Sequence, residues 1–138
     1  MRFVALLVFS SIILMAPMGA CRSEVRNDRP NMLIGEFGGQ TLVGLGYEHF
    51  FSRSFGIGAG AGYLASFRLS WIPLGNVHSL YTALGIVTNI MGGDPGEGVA
   101  PTLTIAWQFQ SVSGFILRLG ITTFYYWPVP GIAVGGSF

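Results

Sequence analysis

Large apolar residues alternate with small or polar residues along most of the chain. In the segment 41–50, Val43, Leu45 and Tyr47 stand at odd positions with glycines between them. The segment 55–63 repeats the pattern, with Phe, Ile, Ala, Ala and Tyr separated by four glycines. Successive side chains of a strand point to opposite faces, so a period of two is typical of β-structure. The pattern predicts an all-β chain whose strands have one large apolar face and one small or polar face.

Breaks in this alternation divide the chain into eight predicted strands. Most breaks carry glycine, proline, asparagine or serine, which are the residues that form turns. A strand that crosses a membrane needs about 9–11 residues, and six of the eight predicted strands have at least nine. The predicted strands cover residues 32–38, 41–50, 54–64, 66–74, 78–90, 99–109, 113–125 and 131–138.

Composition indicates which face of these strands meets the surroundings. Apolar residues make up 51% of the chain, charged residues only 9%, and there are 21 glycines. A soluble domain normally has about 25% charged residues. If the large faces packed inside a soluble sandwich, rows of glycine would form the solvent surface with hardly any charge. We therefore expect the large apolar faces to meet lipid and the small faces to line a narrow lumen.

Eight strands that each have one apolar face and one small face predict an antiparallel up-and-down transmembrane β-barrel over residues 32–138. Backbone polar groups in lipid must be paired internally, so strands cross a membrane only as a closed barrel. Eight strands enclose an interior just wide enough for side chains to fill. The alternative is a soluble, lipocalin-like barrel that binds a lipid or another small ligand. The two differ in which face is apolar, and the glycine rows favour the membrane barrel.

The first twenty residues have the layout of a secretory signal peptide. Arg2 precedes the apolar run 3–15, and small residues follow up to Ala20. The apolar run is short for a spanning helix. Residues 1–20 are therefore interpreted as an export signal, with an uncleaved helical anchor as the alternative. The polar segment 21–31 is interpreted as a tether to the barrel.

Cys21 is the only cysteine in the sequence, so no disulfide can form within it. The stretch Met-Gly-Ala-Cys that ends at Cys21 resembles the lipobox of bacterial lipoproteins, in which the cysteine becomes the lipidated N-terminus. Met18 stands where leucine is usual in that motif. The resemblance implies lipidation of Cys21, and the alternative is that an ordinary signal peptidase cuts nearby.

Three stretches resemble the small eight-stranded outer-membrane β-barrels of Gram-negative bacteria, most closely a poorly characterised group from the Bacteroidota. They are GYEHFFSRSFGIGAGAGY at 46–63, FILRLGITTFYY at 115–126 and WPVPGIAVGGSF at 127–138. The resemblance implies location in the cell outer membrane, contact with outer-membrane lipid, and insertion by the barrel assembly machinery. The last stretch ends in Phe138 after alternating apolar residues, which resembles the terminal signal that this machinery recognises.

Four charged residues fall inside predicted strands, all on the small-residue face. They are Glu36, Glu48, Arg68 and Arg118. An Arg on the lipid face costs about 2–4 kcal/mol at the membrane midplane, so we expect these charges in the lumen. The strand directions predict two cross-lumen pairs at different depths, Glu36 with Arg68 and Glu48 with Arg118, because a lone buried charge is costly. The pairs would plug the bore, and the alternative is an ion pathway.

Several other sequence features are typical of binding or catalytic sites in other proteins. Seven arginines and no lysine leave no basic patch, which excludes a nucleic-acid partner. The glycines of 56–62 lie within a strand, whereas a nucleotide loop precedes a helix. Asp94 and Glu97 are candidate calcium ligands, with solvated loop acids as the alternative. His49 and His78 have no neighbouring ligand in sequence, and a catalytic metal site needs three.

The sequence therefore predicts a structural or interaction role, with no catalytic centre, no cofactor and no metal. The protein partner is left open. A lipid-modifying enzyme of the outer membrane is a further alternative, and it would need a nucleophile and a histidine near the outer leaflet.

Overall fold

The computed structural model describes residues 28–73, 77–89, 98–124 and 127–138, which form a closed antiparallel barrel of eight strands. Each strand pairs with the next one in sequence, and β8 pairs with β1 to close the barrel. The prediction of an all-β, eight-stranded antiparallel barrel is confirmed. The strands are β1 (Asn31–Gly39), β2 (Leu42–Phe50), β3 (Phe55–Gly62), β4 (Leu64–Trp71), β5 (His78–Asn89), β6 (Ala100–Gln110), β7 (Phe115–Phe124) and β8 (Trp127–Ser137).

The two ends of the barrel differ in what they carry. The chain enters β1 and leaves β8 at one end, called the terminal end, which also carries the turns 51–54 and 111–114. The opposite end, called the distal end, carries the connection from β1 to β2 and the connection from β3 to β4. No helix among the described residues is long and apolar enough to cross a membrane.

Residues 29–31, which the sequence assigns to the tether, are held by the barrel. Asn31 is the first residue of β1. The guanidinium of Arg29 donates to the carbonyl of Ser113 at 2.7 Å, and the N–H of Phe50 donates to the carbonyl of Pro30 at 2.8 Å. The interpretation of residues 1–20 as a signal peptide, and the rest of the tether up to residue 27, lie outside the described residues.

β8 begins earlier than the sequence predicts, because the run 127–130 belongs to the strand and not to a turn. Proline lacks an N–H and is tolerated in a strand only where that bond is not needed. The carbonyl of Pro130 points at Gly38 of β1, away from β7. Pro128 has the same orientation, because alternate residues of a strand direct their backbone groups to the same side. The ladder between β7 and β8 therefore loses no hydrogen bond.

The division between β3 and β4 also differs from the prediction, which placed it at Ala65. β3 ends at Gly62 and β4 begins at Leu64, so Tyr63 alone connects them. The N–H of Tyr63 donates to the carbonyl of Val43 at 2.9 Å, so the connection is held by β2. This turn depends on a neighbouring strand and needs neither glycine nor proline at its tip.

The two faces of the wall have the orientation that the alternation predicts. Large apolar side chains point outward, for example Leu45 at 62% and Phe37 at 66% exposure, whereas Glu48 between two exterior residues is fully buried. Trp107 also points outward and is partly covered by His78 and Phe109. The exterior wall includes Leu33, Phe37, Val43, Leu45, Tyr47, Phe55, Ile57, Phe67, Leu69, Trp71, Leu84, Ile86, Leu103, Ile105, Phe115, Leu119, Ile121, Ile132 and Val134.

Candidate functional site

The four charged residues singled out from the sequence all lie in the lumen. Glu36 on β1, Glu48 on β2, Arg68 on β4 and Arg118 on β7 are each at most 6% exposed. They occupy even positions, and even positions on these four strands share the inner face of the barrel. The strand order therefore brings together four charges that are up to 82 positions apart, since 118 − 36 = 82.

Glu36 uses both of its carboxylate oxygens within the lumen. Its Oε1 accepts from Nη1 of Arg68 in a direct ion pair. Its Oε2 accepts from the backbone N–H of Thr41 at 3.2 Å and from the Thr41 hydroxyl at 2.9 Å. Glu36 therefore joins the wall of β4 to the turn that follows β1.

Glu48 and Arg118 form a two-pronged ion pair. Nη1 of Arg118 donates to Oε1 of Glu48 at 2.9 Å, and Nη2 donates to Oε2 at 2.7 Å. Paired N–H···O bonds of this kind are among the stronger side-chain interactions. The hydroxyl of Tyr81 donates to Oε1 of Glu48 at 2.6 Å, and the guanidinium carbon of Arg118 lies 3.8 Å from the centroid of the Tyr81 ring. Tyr81 thus holds both partners through hydrogen-bonding and cation–π contacts.

Arg68 connects the two pairs into one network. Its Nε lies 3.0 Å from Oε1 of Glu48, in addition to its ion pair with Glu36. Gly58 on β3 permits this reach, because a Cβ there would lie 2.7 Å from Cγ of Glu48 and 3.1 Å from Nε of Arg68. Both pairs predicted from the strand directions are present, but they are linked rather than separated by depth.

The network continues to the terminal end through a row of amides. Nε of Arg118 donates to Oε1 of Gln108 at 2.6 Å. The amide of Gln108 donates to Gln110 at 3.4 Å, and the amide of Gln110 donates to the Ser137 hydroxyl at 3.2 Å. The sequence pattern did not single out Tyr81, Gln108 or Gln110 as members of the network. A signal was present for both glutamines, since they are polar residues at lumen-facing positions of β6.

Large apolar side chains fill another part of the lumen. The alternation predicts an inner face of small or polar residues, so these side chains are not expected there. Phe50 is one of them, since it is only 3% exposed and faces inward. It occupies an even position on β2, as Glu48 does, so strand parity decides its direction. The large apolar residues in the lumen are Met32, Ile34, Phe50, Ile72 and Ile116.

The turn between β1 and β2 folds into the distal mouth of the lumen. Gln40 and Thr41 are 1% and 0% exposed, although they form the tip of a hairpin. A register shift next to Gly38, with φ of 78°, and a φ of 59° at Leu42 redirect the chain inward. The amide of Gln40 then donates to the Thr104 hydroxyl on the far wall at 3.3 Å.

Two glycines on the inner wall make room for this tucked turn. A Cβ at Gly60 would lie 2.5 Å from Cγ2 of Thr41, and a Cβ at Gly85 would lie 2.7 Å from Oε1 of Gln40. Real Cβ atoms are not found so close to other heavy atoms. The turn therefore closes the mouth because the facing strands carry no side chain at these positions.

Little space remains between the tucked turn and the charged network. A cavity of about 30 Å³ is lined by Gln40, Arg68, Tyr81 and Arg118, among others. Oε1 of Gln40 and Nη2 of Arg68 are buried without a hydrogen-bond partner among the described residues. A polar cavity of this size suits about one water molecule. A lipid or a drug-sized ligand does not fit in this part of the lumen.

The other residues considered from the sequence are not brought together. Nδ1 of His49, on β2, lies 3.0 Å from Oδ1 of Asn31. His78 is on β5, and its ring stacks on that of Trp107 with centroids 5.4 Å apart. Within the described ranges, no three His, Cys, Asp or Glu residues are grouped as a metal ion would require. Cys21, Asp94 and Glu97 lie outside the described residues.

Phe138 takes part in closing the barrel. Its N–H donates to the carbonyl of Asn31 at 2.9 Å, and its carbonyl accepts from the N–H of Asn31 at 3.2 Å. The ring is 62% exposed, in line with the exterior row of β8. This position leaves the ring accessible, and its role as an assembly signal stays a prediction.

The lumen is a polar core whose carboxylates are already engaged. The two carboxylates and two guanidinium groups sum to zero charge, and each carboxylate oxygen of Glu36 and Glu48 already accepts a hydrogen bond. Such an arrangement holds strands together across the lumen.

Comparison of the chain with protein-family models, with curated proteins and with solved structures finds no match.

Proposed function

We propose that the chain is a small outer-membrane β-barrel with a structural or interaction role and no catalytic centre. The observation that carries this proposal is the placement of charge. Among the described residues, no charged side chain lies on the exterior wall, and all are found either in the lumen or at the terminal end. Those in the lumen are Glu36, Glu48, Arg68 and Arg118, and those at the terminal end are Asp28, Arg29 and Arg53.

The exterior wall is suited to lipid rather than water. Soluble monomers rarely expose apolar patches of more than a few hundred Å², whereas this barrel exposes large apolar side chains on every strand. Closure of the sheet by β1 and β8 pairs the backbone groups around the wall. Internal pairing of this kind is the condition for crossing a bilayer with strands.

Aromatic residues gather on the exterior near the terminal end. Phe55 and Trp71 stack with ring centroids 6.3 Å apart, and Trp107, Phe109 and Phe115 form a second series with spacings of 6.4 and 6.3 Å. Membrane barrels carry such girdles where the wall meets the lipid headgroups. We therefore place one membrane boundary at this level of the barrel.

The filled lumen favours a structural role over the alternatives. A lipocalin-like barrel needs an interior space for its ligand, whereas the cavity beside Arg68 measures only about 30 Å³. A general acid or base in catalysis needs an atom that can donate or accept a proton within reach of a substrate. The carboxylates of Glu36 and Glu48 are buried and already hydrogen-bonded, so they are poor candidates for that task.

Membrane fractionation combined with gel mobility tests the proposal. The expressed chain should be recovered in the outer-membrane fraction, and its gel mobility should change on heating, because a folded barrel resists detergent until it is heated. Recovery in the soluble fraction would contradict the proposal and favour the lipocalin-like alternative. A membrane-bound chain with heat-independent mobility would show attachment without a folded spanning barrel, which also contradicts it.

A further inference from the structure

An apolar groove of about 610 Å³ runs along the exterior wall over strands β3 to β6. It begins beside the turn that joins β2 to β3 at the terminal end and extends toward the middle of the wall. Its lining is almost entirely hydrocarbon. The residues that shape it are Phe51, Phe55, Leu69, Trp71, Thr82 and Leu84.

The groove exists because a small residue stands in a row of large ones. Thr82 pairs with Trp71 on one side and with Ile105 on the other, so the wall is indented at Thr82. The ring of Trp71 stacks nearly parallel to that of Phe55, at an interplanar angle of 16°. The stacked rings therefore form one side of a channel whose floor is Thr82.

The groove offers no free hydrogen-bond donor to an occupant along its floor. The hydroxyl of Thr82 donates to the carbonyl of Trp71 at 2.9 Å, so the polar atom of the floor is already used. The backbones of β3 to β6 pair with one another along the groove. A peptide bound as an added strand needs a free sheet edge, which a closed barrel lacks. The chemistry of the groove therefore matches an unbranched hydrocarbon chain.

The turn at the terminal end of the groove carries an arginine, Arg53. Phe51, which lines the groove, belongs to the same turn as Arg53, whose side chain is exposed. Arginine binds phosphate oxygens through its fork of N–H donors. This charge also lies beyond the aromatic level at which we place the membrane boundary, where lipid phosphates would be found.

We infer that the groove and the turn at Arg53 hold one glycerophospholipid, with an acyl chain along Thr82 and the phosphate at Arg53. This inference rests on the proposed function, since a soluble barrel would not meet such a lipid. Bound lipid fills the indentation of the wall, so this side of the barrel presents a continuous apolar surface to the bilayer.

Native mass spectrometry of the detergent-purified barrel with palmitoyl-oleoyl phosphatidylglycerol tests the acyl-chain site. The unaltered chain should retain one lipid. Thr82→Trp should lower the affinity about tenfold, because the indole displaces roughly two methylene groups from the groove. Thr123→Trp is the matched control, since Thr123 also points outward and donates to a cross-strand carbonyl, that of Leu103 at 3.3 Å. It should bind lipid like the unaltered chain.

A second pair of variants tests the phosphate site. Arg53→Gln should weaken binding of phosphatidylglycerol, whereas Arg29→Gln should not, since Arg29 contacts Ser113 and Ser137 on another side of the terminal end. A heat-modifiable membrane barrel that retains no lipid, or loses it equally in test and control variants, overturns the inference and leaves the proposed function intact. A chain recovered in the soluble fraction overturns both.

Discussion

The lumen and the exterior wall are built from the same strands, yet their chemistry is opposite to that of an ordinary soluble protein. The lumen buries four charges, a row of amides and a tucked polar turn, with Glu48 fully enclosed. The exterior presents Leu45, Phe37 and many similar side chains at about half exposure or more. Burial of charge is costly and exposure of hydrocarbon to water is costly, so this arrangement is the one expected of the lipid-exposed barrel proposed above.

The comparison also shows how each side is stabilised. Lumen residues depend on specific partners, because each buried charge must keep its ion pair and its hydrogen bonds. Exterior residues depend on the medium and only weakly on one another. Substitutions in the lumen should therefore lower the free energy of unfolding because they remove a partner of a buried group. Substitutions on the wall should lower it when the new side chain is poorly solvated by the surrounding medium.

The largest effect is expected at Glu48, which is paired with both Arg68 and Arg118. Glu48→Gln should lower the free energy of unfolding by about 3–5 kcal/mol, since it leaves buried positive charge without compensation. Urea unfolding in lipid vesicles would measure the loss. Glu36→Gln is the comparison, and a smaller loss is expected because Glu48 remains to neutralise the arginines. Absence of coupling between Glu48 and Arg118 in a double-mutant cycle would contradict a buried network.

On the wall, Leu45→Arg should lower the free energy of unfolding in vesicles by about 2–4 kcal/mol, because it places a charge in lipid. Val112→Arg is the control, since Val112 is exposed in the turn at the terminal end and should tolerate the charge. The same urea titration serves both variants. Equal, negligible costs at the two positions would indicate that the wall faces water.

At the distal mouth, Gly60→Ala should cost about 1–3 kcal/mol through overpacking against the tucked turn. The control is Gly35→Ala on the exterior, where the nearest atom to an added Cβ is the Val134 carbonyl oxygen at 3.7 Å, an ordinary contact. Thermal unfolding followed by gel mobility would compare the two. If both variants behave alike, the turn does not occupy the mouth in solution.

Phe138→Ala should have the smallest effect on the folded barrel, because the ring is exposed and contributes little packing, and the backbone pairing with Asn31 is kept. Insertion into the outer membrane should nevertheless fall while export continues, if the ring is the signal for the assembly machinery. Quantification of the protein in outer-membrane and periplasmic fractions would measure this. Unchanged insertion would leave Phe138 with only its role in pairing to Asn31.

Much of the wall could be predicted from the sequence because a period of two determines which side chains share a face. That parity placed Glu36, Arg68 and Arg118 in the lumen, and the strand directions predicted their partners. It could not predict that Arg68 also reaches Glu48. That contact depends on the register between β2, β3 and β4 and on the empty space beside Gly58.

Other features carry no local signal at all. The connection at Tyr63 is held by Val43, a residue of another strand, and contains no turn-forming residue. The tucked position of Gln40 depends on glycines far along the chain, such as Gly85. Pro130 marks a turn by composition, yet it lies in β8 because its missing N–H falls on the side away from β7.

Tryptophan fluorescence in vesicles of brominated phospholipid tests most directly whether the exterior wall is in contact with lipid. Trp71 and Trp107 both point outward from the wall, and Trp127 lies at the distal rim. Bromine on the acyl chains quenches a nearby indole, so emission from Trp71 and Trp107 should be strongly reduced relative to vesicles of unbrominated lipid. Unchanged emission in brominated lipid, together with quenching by iodide from the aqueous phase, would contradict the account.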